Sequence, residues 1–411
     1  MSQTLRATDA HQNDGSPQGS PPGSAAGDSV RRVRALSAGS FALGTDGFVL
    51  AGILPLIADD LDVTVASAGL LLTVFALTYG ISAPLLGPLS GQFERRTVLV
   101  ASMAGFIIAN VVAACAPSFG LLLAARAAAA VCAGVYSPTA LGVAVQLSPP
   151  ERRGRAVAGV LAGMTVALIV GVPAGSLLAD LGSWRTTFVA VAVLGTAALV
   201  ALMTSVPRVA PLSVAPLAAR LAPLRERHIA MTLVACFAWQ VAMFVPFTFL
   251  AEILGAAGAG PTGISALLLV YGASAWAGNR AGGAATDRWG GHCVVTAMLA
   301  GVLASLTLLA VLARLDGGPA LTLTLVVMAV WGFTGWGIVP AQANRLVAAA
   351  PAAAQEVLSL NTASIYLGIG VGALTGGVVL RSAGLDALAP CGAALVGLVL
   401  AVSLLRSREA S

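Results

Sequence analysis

Arg95-Arg-Thr-Val-Leu-Val-Ala-Ser-Met-Ala-Gly-Phe-Ile-Ile-Ala-Asn-Val-Val-Ala-Ala-Cys-Ala-Pro117 is the stretch on which the fold class turns. Twenty uncharged residues separate the arginine pair from the proline. As a helix rising about 1.5 Å per residue they span about 30 Å, the thickness of a bilayer's hydrocarbon layer. Working outward, similar apolar runs recur at 36–57, 67–90, 97–116, 119–147, 155–179, 186–206, 227–254, 263–286, 293–313, 320–347, 355–380 and 387–406. Short links between them hold the helix breakers, among them Pro117, Pro149-Pro150, Gly182-Ser183, Gly260-Pro261, Gly317-Gly318-Pro319 and Pro351. Twelve spanning helices are the expectation.

Composition excludes the other classes. Only 9% of the 411 residues are charged and 58% are hydrophobic, with a mean hydropathy of +0.91. A soluble domain carries about a quarter charged residues. The apolar excess runs from Leu36 to Leu405, so a soluble domain with one anchor is excluded. The net charge of +5 does not point to nucleic acid, because the arginines follow topology. All 22 basic residues are arginine: 17 lie on the side that holds both termini, and only Arg185, Arg314 and Arg381 lie on the other. Arg126 and Arg280 fall inside runs. Positive charge marks the cytoplasmic side, so both ends are expected inside a cell membrane. The five cysteines are scattered and the three histidines lack ligand spacing, so neither metal nor disulfide is expected. Residues 1–30, rich in Ser, Gly and Pro, read as a disordered cytoplasmic tail. The proline- and arginine-bearing stretch 207–227 divides the helices into bundles at 31–206 and 228–406, and 407–411 is a short cytoplasmic tail.

The two bundles match at constant offsets. Pro138 and Pro149 answer to Pro340 and Pro351, displaced by 202; Gly171 and Gly175 answer to Gly368 and Gly372, displaced by 197. The exit of the second run, Gly87 to Arg96, answers to Gly283 to His292, displaced by 196. A duplicated six-helix unit around a central cavity is the build of a rocking carrier.

Charged and polar groups inside the runs are the candidate chemistry. Asp46 stands near the middle of the first run, where an ionised side chain costs at least ~2.5–3.5 kcal/mol, so it must face the bundle or a water-filled cavity. It is read as a proton or substrate group; the alternative is an acid that merely pairs with an arginine. Arg126, about two turns inside the fourth run and within a few ångströms of the same depth, is the expected partner, unless it snorkels outward. Tyr136, Trp239, Gln240, Phe244, Trp276, Trp331, Asn361 and Tyr366 are the candidate cavity residues. Single aromatic residues also serve as interface anchors, but lipid cannot satisfy the amides of Gln240 and Asn361. Gly171, Pro173 and Gly175, with Gly368, Gly372 and Gly376, form rows of small residues that are expected to give close contacts where the two bundles meet.

These residues resemble the major facilitator superfamily, and within it the twelve-helix drug:proton antiporters. Gly283-Ala-Ala-Thr-Asp287-Arg288-Trp-Gly290 resembles the G-x-x-x-D-R-x-G gate motif. Arg126 matches the antiporters' fourth-helix arginine, and Pro150-Glu-Arg-Arg-Gly154-Arg155 the loop that follows. Gly171-Val-Pro173-Ala-Gly175 is similar to the fifth-helix motif of chloramphenicol-resistance and arabinose-efflux-type permeases, as are Gly44 to Pro55 and Leu358 to Gly368. The first gate copy departs from the pattern. Gly87, Arg95 and Arg96 remain, but Gly91 stands for the Asp, Gln92 for the Arg and Glu94 for the last Gly. The resemblance implies an all-α integral membrane carrier, not an enzyme, that exports a small, fairly lipophilic compound such as an amphenicol by proton antiport. It implies no cofactor beyond the proton gradient; the partners are a small-molecule substrate, protons and lipid, with no nucleic acid, and the chain is taken as a monomer. A sugar or nucleoside permease is the alternative within transport, and a non-transporting sensor on the same scaffold the alternative outside it.

The arginine bias makes a direct prediction. A reporter active only in the cytoplasm should work when fused at Ser411 and fail when fused in the 58–66 loop; the reverse pattern contradicts the orientation.

Overall fold

The computed structural model describes residues 22–149, 152–211, 217–312 and 318–410. Pro150 and Glu151 of the fourth-to-fifth loop, Pro216, Arg314, Gly317 and tail residues 1–21 lie outside them. Twelve spans follow in order: α1 (Pro22–Phe48, continued by Leu50–Asp60), α2 (Val65–Ala68 and Leu70–Leu89), α3 (Arg95–Ala114) and α4 (Phe119–Gln146). Next come α5 (Arg153–Val166, a π turn at Ala167–Gly171, then Val172–Leu181) and α6 (Trp184–Ser205). The second half holds α7 (Arg227–Phe247 and Leu250–Ala256), α8 (Pro261–Trp289), α9 (Gly291–Leu312), α10 (Gly318–Ala349), α11 (Ala354–Ala383) and α12 (Leu388–Ala410). The connection between halves contains a short helix, Leu217–Leu221, and a 3-10 turn, Ala222–Arg225.

Among the described residues, ten helices are long and apolar enough to cross a membrane, or eleven if the bent α1 counts as one span. α8 has the length, at 29 residues, but Asn279, Arg280, Asp287 and Arg288 lower its hydropathy. The tail assignment needs correction at its end. Residues 22–30 are helical and extend α1 backward. Once the apolar part of a helix is in place, each added residue contributes a bond without a new nucleus, and a proline is tolerated in the first turn.

Both halves pack by one scheme. α1 lies against α5 and α6 as α7 does against α11 and α12; α2 meets α4 as α8 meets α10; α3 meets α4 and α6 as α9 meets α10 and α12. This six-span correspondence agrees with the displaced prolines and glycines of the sequence. The halves join through α2 against α11 and α5 against α8.

The glycine rows lie elsewhere than expected. A Cβ on Gly171 or Gly175 would strike Thr45 or Val49 of α1, and one on Gly368, Gly372 or Gly376 would strike Gln240, Val241 or Val245 of α7. They close contacts inside each half. The opposite faces of the same two helices meet the other half, because a row fixes a spacing and not a partner. Among the described glycines at that contact the closest approach is at Gly272 of α8, where a Cβ would sit 2.1 Å from the Leu168 carbonyl oxygen of α5. Gly80 lies against Leu367 and Gly370 against Leu77 along the α2–α11 contact.

Gly272→Ala should therefore lower thermal stability by about 1–3 kcal/mol, the usual cost of overpacking. Gly120→Ala, at a helical glycine with nothing within 4 Å of an added Cβ, should be neutral or slightly stabilising. Equal thermal unfolding of the two variants would contradict the close approach.

Candidate functional site

α1 breaks at Val49, and its two pieces are bent by 51°. Gly52 N–H turns to the carbonyl of Val49, only three residues back, and Pro55 has no N–H to give to Ala51. Three residues before the break stands Asp46, fully buried. Arg126 of α4, 1% exposed, donates from Nη1 to Asp46 Oδ1 at 2.6 Å and from Nη2 to the Asp46 backbone carbonyl at 3.2 Å. The side chains expected to share a depth meet in a direct ion pair. The guanidinium also lies over the Phe75 ring of α2, 4.3 Å from its centroid, and 5.9 Å from that of Phe188 of α6. Asp46 Oδ2 and Arg126 Nε have no hydrogen-bond partner among the described residues. A buried pair like this stands on mutual satisfaction, since removing one member strands the other's charge.

The fifth-helix motif packs behind this pair. Pro173 cannot donate to the carbonyl of Ile169, and α5 loosens into its π turn at Ala167–Gly171. A Cβ on Gly44 would sit 2.9 Å from that of Ala167, and one on Gly171 2.2 Å from Thr45 Oγ1. The π turn of α5 thus seats against the residues that flank Asp46.

Two aromatic lines lead from the pair toward the second half. Beyond Arg126, Phe75 stacks on Tyr79 at 6.4 Å, and Tyr79 stacks across the halves on Tyr366 of α11 at 3.8 Å. The Tyr366 hydroxyl points at the Met164 sulfur of α5, 4.0 Å away. Beyond Asp46, Phe48 meets Trp336 of α10 edge-on at 5.6 Å. Trp336 Nε1 donates to the Tyr271 hydroxyl at 3.2 Å, and Tyr271 packs with Phe247 and Trp331.

The other candidates divide. Phe244 lies 5.0 Å from Phe247 and so joins the aromatic cluster with Trp331. Trp239, Gln240, Trp331 and Asn361 are all buried. Gln240 Oε1, Asn361 Oδ1 and Trp331 Nε1 have no hydrogen-bond partner among the described residues. Tyr136 stands apart: its hydroxyl donates to the Leu36 carbonyl at 2.9 Å and it packs on Gly39, so it ties α4 to α1. Trp276 is 45% exposed, one turn from Gly272, with Arg280 5.5 Å from its ring. In the second gate copy, Gly290 ends α8 at φ +80°, a conformation that side chains other than glycine's rarely adopt. Asp287 and Arg288 are exposed and form no ion pair among the described residues. Gly283 lies in α8 and Gly87 in α2. In the first copy Arg95 is buried, and Arg96 donates from Nη2 to the Met203 carbonyl of α6.

Sequence reasoning missed Phe75, Phe188, Tyr79, Phe48 and Met164. The spacing of Phe75 and Tyr79, four apart on one helix face, was the available signal.

The Major Facilitator Superfamily model matches residues 36–373. The chain belongs to the major facilitator superfamily. It is a multi-pass membrane transporter and not an enzyme. The superfamily relatives include an uncharacterized MFS-type transporter, YbcL, of Bacillus subtilis (strain 168), 32% identical over 91% of this chain and 95% of that protein. A chloramphenicol resistance protein of Streptomyces lividans is 34% identical over 82% of this chain and 86% of its own length. Among solved structures, the nucleoside transporter NupG superposes with a TM-score of 0.70 at 12% identity, over 91% of this chain and 98% of that one, which is a likeness of fold.

Proposed function

We propose that this transporter exports a small, fairly lipophilic compound in exchange for protons, with Asp46 as the proton-carrying group and Arg126 as its switch partner. The observation that carries the reading is the buried Asp46–Arg126 pair placed three residues before the α1 break. Protonating Asp46 removes the negative partner, and the Phe75 and Phe188 faces can still hold the guanidinium by cation–π attraction. The outer piece of α1, Leu50–Asp60, packs against the outer piece of α7, Leu250–Ala256, and Ile53, Leu54, Ile57, Leu250, Ile253 and Leu254 are all buried in the same apolar core. A change of charge at Asp46 thus falls at the joint that sets this contact between the halves. The aromatic residues between the halves suit an apolar or aromatic solute, and the chloramphenicol resistance relative supports an antibiotic of that kind as cargo. The carrier is read as a monomer in the cell membrane with both ends cytoplasmic, in keeping with the arginine bias. A nucleoside or sugar is the second reading, favoured by the unpartnered amide oxygens of Gln240 and Asn361.

Flux of chloramphenicol in proteoliposomes with an imposed pH gradient tests the proposal. The wild-type protein should accumulate the compound against its gradient. Asp46→Asn, locked neutral, should lose accumulation yet retain exchange down a gradient, and Asp46→Glu should keep part of the driven transport. Full gradient-driven accumulation by Asp46→Asn would remove Asp46 from coupling. Driven flux of a nucleoside with none of chloramphenicol would favour the second reading.

A further inference from the structure

The first gate copy lacks its charged residues at Gly91 and Gln92, yet the turn between α2 and α3 is tied down by other groups. Glu94, standing where the motif has its last glycine, caps α3. Its Oε1 accepts from the amides of Arg96 at 3.1 Å and Val209 at 3.0 Å, and its Oε2 from the amide and hydroxyl of Thr97 at 3.2 and 2.6 Å. The Arg95 amide donates back to the Val209 carbonyl at 3.0 Å. Burial opposes the Glu94 charge, but these donors outweigh it and hold the carboxyl below the usual carboxylate range. Val209 follows directly on α6, so the start of the connection between the halves is fastened to the gate turn of the first half.

Farther along that connection, Arg220 of the Leu217–Leu221 helix reaches the end of α2. Its Nη1 donates to the Pro84 carbonyl at 2.7 Å. In a regular helix that carbonyl would take the amide of residue 88, but residue 88 is proline and has no N–H. The carbonyl is left open by the sequence itself, and a guanidinium fills it. Burial disfavours the Arg220 charge, and the carboxylate of Glu356, in the first turn of α11 and lining the same cleft, partly offsets this. Pro84, Arg220, Leu221, Glu356, Ser359 and Leu360 line one cleft between the two helices.

We infer that Arg220 is the positioning residue that holds the ends of α2 and α11 together, in place of the charges missing from the first gate copy. It rests on geometry at the cytoplasmic-loop end of the halves and not on the identity of the cargo or the coupling ion. It donates to a carbonyl freed by Pro88 and shares its cleft with Glu356, and Glu94 keeps the same connection on the first half.

Spin labels on Leu85→Cys and Leu358→Cys, both exposed positions, read the separation of the two helix ends in the full chain, with the five native cysteines replaced. No substrate and no gradient are needed, so the result is independent of the transport proposal. Loss of a charge-assisted hydrogen bond should shift the ratio of close to separated populations about tenfold. Arg220→Gln should show this shift, and Arg220→Lys, which keeps a charged donor, should stay near the parent. Pro88→Ala restores an amide that competes for the Pro84 carbonyl and should shift the populations in the same direction without touching Arg220. Distance distributions unchanged in both Arg220→Gln and Pro88→Ala would overturn the inference.

Discussion

An arginine and an aspartate buried within a membrane bundle can each be tolerated only through the other. In a medium with no water to solvate them, an unpaired charge at this depth costs several kcal/mol, and a paired one is held by a short contact and by π faces. Asp46 and Arg126 meet at 2.6 Å, and the surroundings are arranged around that contact. α1 brings Asp46 in from one side and α4 brings Arg126 from the other, while Phe75 and Phe188 close over the guanidinium from α2 and α6. Four of the six helices of the first half thus converge on one pair. The fifth, α5, comes close enough to seat against it only because Gly44 and Gly171 carry no side chain.

The second half repeats the packing scheme without, among the described residues, repeating the charge pair. Its centre holds Phe244, Phe247, Tyr271 and Trp331, with buried amides at Gln240 and Asn361. One half thus carries the titratable chemistry and the other an aromatic, sparsely polar surface. The halves touch at Tyr79–Tyr366, Phe48–Trp336 and Leu168–Gly272, and at Gly80–Leu367 and Gly370–Leu77, so these contacts are made of flat rings, aliphatic side chains and bare backbone. Such surfaces can part and rejoin with little loss of hydrogen bonding.

The spans were legible because lipid imposes one rule on every residue of a run, and the arginine-marked links punctuate it. The ion pair was legible for a related reason: two charges at one depth have few places to go. The rows at Gly171–Gly175 and Gly368–Gly376 were misplaced because spacing carries no information about which neighbour a face meets. The break at Val49 and the π turn before Pro173 leave a weak trace, since glycines and prolines are frequent throughout. Arg220 left almost none. It is one of four arginines in the proline-rich link 207–227, nothing there marks it from the others, and its partner is a backbone carbonyl whose availability depends on a proline four residues on. Glu94 read as a defect in a motif, whereas in the folded chain it is a cap and a clamp.

Proton exchange through this pair requires that Asp46 take up a proton. Infrared difference spectra of the protein in vesicles, recorded as the pH is lowered across the range in which it transports, measure this directly. A protonated-carboxyl band should grow in the wild-type protein and be missing from Asp46→Asn. The same band in both proteins, or none in the wild type at any transport-active pH, would contradict the claim and leave the pair as a fixed tie between α1 and α4.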